Sequence, residues 1–140
     1  MKLSLYTDYS LRVLMYLGAN PSRRVTLTQL GEYYGISVDH LRKIVHELGR
    51  HDYIKTYRGK NGGFELNIPS GEINIGELVA TTEGRKPVVD CQKQPCVLAS
   101  NCRLQGVLAK AEEAFFDSLN QYSLADILED KKMVRNLMSG

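Results

Sequence analysis

Two short helical patterns, joined through a glycine and followed at once by a hairpin turn, constrain the fold most strongly. The first pattern, VTLTQLGEYYG, ends at Gly35, and glycine is suited to the C-terminus of a helix. The second, ISVDHLRKIVHELGRHDYI, starts at the N-cap candidate Ser37 and repeats apolar residues at helical spacing. The segment YIKTYRGKNGGFELN then reads as two short strands around Asn61-Gly62, two residues that tolerate positive φ. This order predicts a winged helix-turn-helix domain.

The basic residues of the chain are unevenly distributed, although its 140 residues carry a net charge of only +2. Residues 40–60 hold six Lys or Arg against two acidic residues. A local basic excess on a helix-turn-helix indicates binding to double-stranded DNA, whereas a solvated face with scattered lysines is the alternative. The N-terminal half of a recognition helix reaches base edges, and a wing tip reaches phosphates or the minor groove. The residues expected at this interface are Thr28, Gln29, Ser37, His40, Arg42, Lys43, Arg58, Lys60 and Asn61.

The N-terminal stretch MKLSLYTDYSLRVLMYLGA predicts an amphipathic helix rather than a leader or a membrane span. Asp8 and Arg12 interrupt its apolar run. The chain contains no run of about 18 apolar residues, the length that a membrane-spanning helix needs. Thr7 is the expected N-cap of this helix, and Asp8 suits its first turn. We therefore expect a cytoplasmic protein without a membrane partner.

The second half of the chain predicts further helices around an irregular loop. A short helix is expected from Ile75 to Thr82, and the segment after it contains two prolines and no clear period. A long helix is expected to begin at Cys102, and a last short helix follows the N-cap candidate Ser123. The predicted fold class is therefore mainly α with a small β-hairpin wing.

The long predicted helix carries an apolar seam in alternating four- and three-residue steps. Such a seam either packs on the winged domain or forms a coiled-coil-like contact with a second copy of the chain. We favour a homodimer, which also suits palindromic DNA sites. The expected dimerisation residues are Leu104, Leu108, Ala111, Phe115 and Tyr122. The expected organisation is a DNA-binding domain in residues 1–70, a short helix with a cysteine loop in residues 71–101, and a dimerisation helix with a C-terminal helix in residues 102–140.

All three cysteines, Cys91, Cys96 and Cys102, lie in the stretch CQKQPCVLASNC. An odd number of clustered thiols predicts metal or redox chemistry before structural disulfides. Zinc sites prefer closer cysteine pairs and four ligands, whereas an iron–sulfur cluster accepts wider spacing. Three reduced cysteines, or one incidental disulfide, remain the alternatives. An enzyme is disfavoured, because the chain has no C-x-x-C pair and no histidine beside the loop.

Several segments together resemble the Rrf-two family of bacterial winged-helix regulators along nearly the whole chain. They are LSLYTDYSLRVLMYL, ISVDHLRKIVHEL, RGKNGGFEL, INIGELV, the three-cysteine loop and YSLADIL. The resemblance implies a homodimer with one iron–sulfur cluster per subunit, held by Cys91, Cys96 and Cys102. It also implies a fourth ligand, Asp8 of the partner subunit, which Arg12 would orient.

Within that family, the segments VVDC and NCRL are similar to the branch that represses nitrosative-stress genes and responds to nitric oxide. The branch that regulates iron–sulfur biogenesis has a histidine three residues after the third cysteine, and Gln105 stands there in this chain. This departure favours a repressor with nitric oxide as its effector. Redox state, iron–sulfur status or cysteine metabolism are the alternative signals. Because a carboxylate is a harder and more weakly held iron ligand than a thiolate, it suits one special corner of a [4Fe–4S] cluster, which we favour over [2Fe–2S].

Overall fold

The computed structural model describes residues 2–93 and 95–138 of a mainly helical chain. Its elements are α1 Leu5–Ala19, α2 Leu27–Tyr34, α3 Val38–Arg50, β1 Ile54–Tyr57, β2 Gly63–Leu66, a 3₁₀ turn Ser70–Glu72, α4 Ile75–Glu83, α5 Arg103–Leu119, α6 Leu124–Ile127 and α7 Lys131–Met138. The strands β1 and β2 pair antiparallel. The predicted class, mainly α with a β-hairpin wing, is confirmed. Within the described ranges, no helix combines the length and the apolar character that crossing a bilayer requires.

Helix α1 lies at the centre of the fold. Its buried residues Val13 and Leu14 are fully inaccessible, and the helix contacts α3, α4, α6, α7 and β2. The predicted N-cap was wrong. The hydroxyl of Ser4, not of Thr7, caps the helix, and it accepts a hydrogen bond from the Thr7 N–H at 3.2 Å. Thr7 is instead completely buried in the first turn, where its own hydroxyl contacts α4.

The helix-turn-helix forms as the sequence predicts. Thr26 caps α2 in a capping box with Gln29, and Gly35 ends that helix in the left-handed region at φ +66°. The hydroxyl of Ser37 caps α3 and accepts from the N–H of His40 at 3.2 Å. The apolar residues of α3 that the helical spacing assigned to the core are all buried, and they are Leu41, Ile44, Val45 and Leu48.

The hairpin is present, but its turn differs from the prediction. Asn61-Gly62 was expected to supply positive φ, whereas the left-handed residues of the tip are Gly59 at φ +94° and Gly63 at φ +124°. A Cβ on Gly63 would lie 2.8 Å from the carbonyl oxygen of Val25. The backbone of Val25 pairs with strand β2 through two hydrogen bonds of 2.9 Å. This contact from outside the hairpin leaves no room for a side chain at position 63.

The C-terminal segment returns to the core. Phe116, Leu124 and Leu137 are buried in the same apolar cluster as α1, so the three predicted segments of the chain share one core. Ser123 caps α6 as predicted, but α6 is a single turn, and a further helix, α7, follows it. The buried amide of Asn20 fixes α7, since it donates to the carbonyl oxygen of Leu137 at 3.2 Å. The proposed boundaries at residues 70 and 101 remain predictions.

Candidate nucleic-acid interface and cysteine loop

Helix α3 presents Arg42 and Lys43 to solvent on the side opposite its buried face. The guanidinium of Arg42 lies 2.6 Å from the Asp39 carboxylate, and both side chains are largely exposed. An exposed ion pair of this kind is weak, at about 0.3–0.5 kcal/mol, so a phosphate can compete with Asp39 for the guanidinium. The structure therefore leaves both basic residues available to DNA, and their contacts with it remain predictions.

Two other residues expected at the interface have structural roles at the start of α3. The hydroxyl of Ser37 is engaged as the helix cap. His40 is half-buried, and its ring packs edge-on against Tyr9 of α1 with 5.0 Å between the ring centroids. Sequence reasoning missed Tyr9, whose only signal was an aromatic residue on the polar side of α1. His40 and Tyr9 join the recognition helix to the first helix.

The start of α2 exposes Thr28 and Gln29. The Oε1 atom of Gln29 accepts a hydrogen bond from the Thr26 N–H at 2.9 Å, so one end of this side chain is committed to the capping box. The Thr28 hydroxyl stands at the second position of the helix. Both residues flank the N-terminus of a short helix, a place where backbone N–H groups favour anions.

The wing exposes Arg58 and Lys60 at its tip, as expected. A residue that sequence reasoning missed, Arg24, fixes this tip from outside the hairpin. Its guanidinium carbon lies 3.4 Å from the ring centroid of Tyr57, and its Nη1 donates to the carbonyl oxygen of Asn61 at 2.8 Å. The only sequence signal for this role of Arg24 was its place in the basic pair Arg23-Arg24 just before α2. The wing tip is thus held by a cation–π contact and a backbone hydrogen bond.

The cysteine loop connects α4 to α5, and all three of its cysteines are free thiols. Cys91 and Cys102 are half-buried, whereas Cys96 is exposed. An open concavity of about 690 Å³ is lined by both Cys91 and Cys96. Within residues 2–93 and 95–138, no three Cys, His, Asp or Glu side chains lie close enough together to hold a metal ion. The loop of a single chain therefore offers thiols but not a closed metal site.

The loop also exposes apolar side chains. Val97 is fully exposed at 101%, and Leu98, Val88 and Val89 are each about half exposed. An apolar group of this size on a surface loop usually marks a contact with another molecule. The loop thus has features of a segment that is covered in the working protein.

Asp8 and Arg12 form a bidentate ion pair on α1. Nε of Arg12 lies 3.0 Å from Oδ1 of Asp8, and Nη2 lies 3.1 Å from Oδ2. The hydrogen bond to Asp8 raises the pKa of the Arg12 guanidinium. Asp8 remains 40% exposed. Each carboxylate oxygen has more than one acceptor site, so Arg12 orients the carboxylate without exhausting it.

Helix α5 has an unpaired apolar face. The expected residue Leu104 is 61% exposed, Ala111 is exposed, and Leu108 and Phe115 are half-buried. Tyr122, which is 49% exposed, was expected on the same helix, but α5 ends at Leu119 and Tyr122 lies in the turn that follows it. Sequence reasoning missed Val107, which is 53% exposed and lies three residues after Leu104. Phe115 also packs against the core of its own chain. The seam is therefore apolar and accessible over its first two turns, as a contact with a second copy requires.

Comparison with known proteins assigns the family. The Rrf2 family, described as iron-dependent transcriptional regulators, matches residues 3–130. The chain is 43% identical over 143 residues to the HTH-type transcriptional regulator NsrR of Bacillus licheniformis, with 99% of this chain and 100% of that protein covered. It is 40% identical over 142 residues to NsrR of Bacillus subtilis, with 99% and 97% covered.

Solved structures confirm the fold. The oxidized form of Staphylococcus aureus CymR superimposes with a TM-score of 0.73 at 24% identity, over 91% of this chain and 95% of that chain. T. potens IscR superimposes with a TM-score of 0.69 at 22% identity, over 93% and 88%. The curated relatives are named as transcriptional regulators, and the match to the family model covers most of the chain. The chain belongs to the Rrf2 family of DNA-binding transcriptional regulators.

Proposed function

We propose that this regulator is a repressor of nitrosative-stress genes that holds an iron–sulfur cluster and releases its operator when nitric oxide reacts there. One observation carries the proposal: three free cysteines lie on one solvent-accessible loop between α4 and α5. Thiolates are the usual ligands of such clusters. The similarity to proteins named NsrR supports the same reading.

The donor set fits a cluster better than a single metal ion. Cys91, Cys96 and Cys102 are unpaired, and Cys91 and Cys96 border one concavity of about 690 Å³. Their spacing is wide for zinc, which prefers closer pairs and four ligands. The proposed holder is therefore this loop, with one cluster per subunit and [4Fe–4S] favoured over [2Fe–2S].

Asp8 of the partner subunit is the proposed fourth ligand. When bound, the cluster supplies iron that combines with a small uncharged molecule such as nitric oxide. The carboxylate of Asp8 would be the most weakly held of the four ligands, because a carboxylate is a harder iron ligand than a thiolate. Within its own helix Asp8 already has a second partner, because Arg12 binds both of its oxygens at 3.0 and 3.1 Å. Asp8 would thus have two alternative partners, the proposed cluster of the other subunit and the Arg12 guanidinium of its own helix.

A shift of α1 has a direct route to the DNA-reading helix. The guanidinium of Arg12 lies 5.7 Å from the ring centroid of Tyr9, and the Tyr9 ring packs on His40 of α3. Ligation of Asp8 would draw α1 toward the other subunit. Release would let the Asp8 carboxylate return to the Arg12 guanidinium of its own helix. Because α3 follows α1 through this ring contact, the two recognition helices of a dimer would change their spacing. DNA half-sites one helical turn apart are sensitive to such a change.

The dimer itself is part of the proposal. The exposed apolar face of α5, with Leu104 and Val107 at its start, supports a contact between two copies. The cysteine loop immediately precedes this face, so dimerisation would place the loop of one subunit at the boundary with the other. That arrangement is what a ligand supplied by the partner requires.

The test is anaerobic purification followed by absorbance and DNA-binding measurements. An operator is first selected from random duplex DNA by the protein itself. We expect a visible absorbance band that is lost in Cys91→Ser, Cys96→Ser and Cys102→Ser. We also expect titration with nitric oxide to weaken operator binding in gel shifts. A colourless protein whose operator affinity ignores nitric oxide would refute the proposal.

A second candidate function is a thiol-based sensor of redox state or cysteine metabolism on the same fold. The exposure of Cys96, and the concavity that it shares with Cys91, favour this candidate. It predicts that a mild oxidant changes operator binding in iron-free protein. The cluster-based proposal predicts that nitric oxide acts only on the iron-containing protein.

A further inference from the structure

A compact polar clamp ties the first turn of α1 to the last residue of α4. The carboxylate of Glu83 accepts from the Ser4 N–H, at 2.8 Å to Oε1 and 3.3 Å to Oε2. The hydroxyl of Thr7 lies 2.9 Å from Oε2 of the same carboxylate. It also lies 2.9 Å from the Thr82 hydroxyl, so α1 and α4 are joined by a continuous set of hydrogen bonds.

The clamp is more than a surface contact. Thr7 is completely buried, and its hydroxyl also contacts the hydroxyls of Ser4 and Thr82 at 3.2 and 2.9 Å, so movement of Glu83 would take its charged acceptor from a group that is shielded from water. Burial alone would raise the pKa of Glu83, but the hydrogen bonds from Ser4 and Thr7 and the charge of Lys86 lower it below its ordinary value. Glu83 is therefore ionised near neutral pH, and a charged acceptor makes these hydrogen bonds stronger than neutral ones.

The position of the clamp in the chain gives it a functional meaning. Gly84 follows Glu83 at φ +64° and begins the segment that leads to the cysteines. Asp8 follows Thr7 directly on α1. One side of the clamp is thus the start of the sensor loop, and the other is the turn that carries the proposed fourth ligand.

The neighbouring space permits movement of this turn. An open cavity of about 780 Å³ lies beside the clamp, and its lining includes Glu83, Lys2 and Tyr6. The first turn of α1 is therefore open on that side, and the hydrogen bonds to Glu83 are among the contacts that fix its position.

We propose that Glu83 is a positioning residue, which transmits the position of the cysteine loop to helix α1 of the same subunit. This inference rests on the proposed function for its link to DNA, because it assumes that the loop responds to a signal. Each α1 then has two inputs. Its own loop acts through Glu83 on Ser4 and Thr7, and the loop of the other subunit acts through Asp8.

The decisive test does not need a cluster. The three cysteines of cluster-free full-length dimer are alkylated with a bulky maleimide, and hydrogen exchange is followed in residues 5–12. We expect alkylation to speed exchange there by about twofold or more in the wild type, and to have no further effect in Glu83→Gln. Thr7→Val keeps the side-chain shape and removes the hydroxyl, so it should also abolish the effect of alkylation. It replaces Glu83→Gln in the experiment if Glu83→Gln folds poorly. Glu72→Gln, which neutralises another exposed carboxylate, should behave like the wild type.

A second readout extends the test to DNA. The ratio of operator affinities between cluster-loaded and cluster-free protein should fall by about threefold or more in Glu83→Gln. An exchange response in residues 5–12 that is absent from the wild type, or equal in the wild type and Glu83→Gln, overturns the proposal. Where the wild type shows a cluster-dependent affinity, an unchanged affinity ratio in Glu83→Gln overturns it as well. A wild type without a cluster-dependent affinity would refute the proposed function alone, because the exchange measurement still decides whether Glu83 couples the loop to α1.

Discussion

Arg58 offers a direct test of how the wing binds DNA, because its removal leaves the wing intact. Its side chain is exposed at the hairpin tip. The tip itself is held by Arg24, which stacks on Tyr57 and donates to the carbonyl oxygen of Asn61. Arg58→Ala should therefore delete one cation without disturbing the hairpin. If Arg58 contacts a phosphate, the variant loses one counterion-releasing contact per wing.

The size of the effect follows from the number of contacts. Each phosphate contact contributes a slope of about −0.9 to the dependence of log K on log salt, so a dimer with two altered wings should lose about 1.8 from its slope. Between 50 and 200 mM salt, the wild type should then lose about tenfold more affinity than Arg58→Ala. Fluorescence anisotropy with the selected operator, repeated at four or more salt concentrations, measures both quantities. Affinity should fall for specific and non-specific duplexes alike, since a phosphate carries no sequence information.

A matched control separates contact from total charge. Arg50 is also exposed, and it pairs with Glu47 at 2.9 Å in the last turn of α3, the end of the helix away from the capped start. Arg50→Ala removes the same charge, but we expect its salt slope to match that of the wild type. A slope in Arg58→Ala equal to the wild-type slope would refute the assignment of Arg58 to a phosphate. Equal decreases in both variants would show that net charge, not contact, sets the slope.

Three further predictions concern stability and assembly. Gly35→Ala forces a residue with a side chain into φ +66°, although the added Cβ meets no other atom. Urea denaturation should therefore show that the free energy of unfolding falls by about 1–2 kcal/mol. Gly71→Ala, where the space is equally open and φ is not positive, should change the free energy of unfolding little. Leu104→Asp should convert the proposed dimer to a monomer in sedimentation at micromolar concentration, whereas Gln105→Asp should not. A Leu104→Asp protein that stays dimeric would show that this face of α5 is not the dimer interface. Because its folded pKa is lowered, Glu83 stabilises the fold above the ordinary glutamate pKa of about 4.3, and this stability is lost as the pH falls through the lower folded value. The difference in urea midpoint between wild type and Glu83→Gln should thus be present at pH 7 and shrink toward pH 3; a constant difference would contradict this origin.

Local patterns predicted the DNA-binding half of the chain well. The capping hydroxyls of Thr26 and Ser37 and the glycine at position 35 act within four residues of their partners, so sequence spacing reveals them. The turn at the wing tip was not predictable in the same way. Positive φ lies at Gly59 and Gly63, and the carbonyl of Val25 excludes a side chain at position 63 through an approach that depends on the tertiary fold.

The contacts of the candidate sensor were the least accessible to sequence reasoning. Thr7 looks like a helix cap in sequence, but its hydroxyl contacts Thr82 and Glu83, 75 and 76 residues later, where no local pattern could place it. Tyr9 and His40 likewise meet across two helices. The three cysteines could be found because they are adjacent in sequence. Their proposed partner on α1, Asp8, could be suggested only by resemblance, since no period or spacing connects it to the loop.

The contacts of Arg24 with Tyr57 and Asn61 have a consequence for how fast and how tightly the wing binds DNA. A five-residue tip that contains Gly59 in the left-handed region, and is followed by Gly63 at φ +124° at the start of β2, would be mobile if it were fastened only by its two strands. Because Arg24 holds the tip from the segment before α2, most of its conformational entropy is lost when the domain folds rather than when DNA binds. The wing is therefore preorganised. Loss of Arg24 should slow the formation of the complex with DNA and weaken it, even if Arg24 itself contacts no nucleotide. An alanine scan of this surface must therefore distinguish the residues that contact DNA from Arg24, which orders the wing before DNA binds.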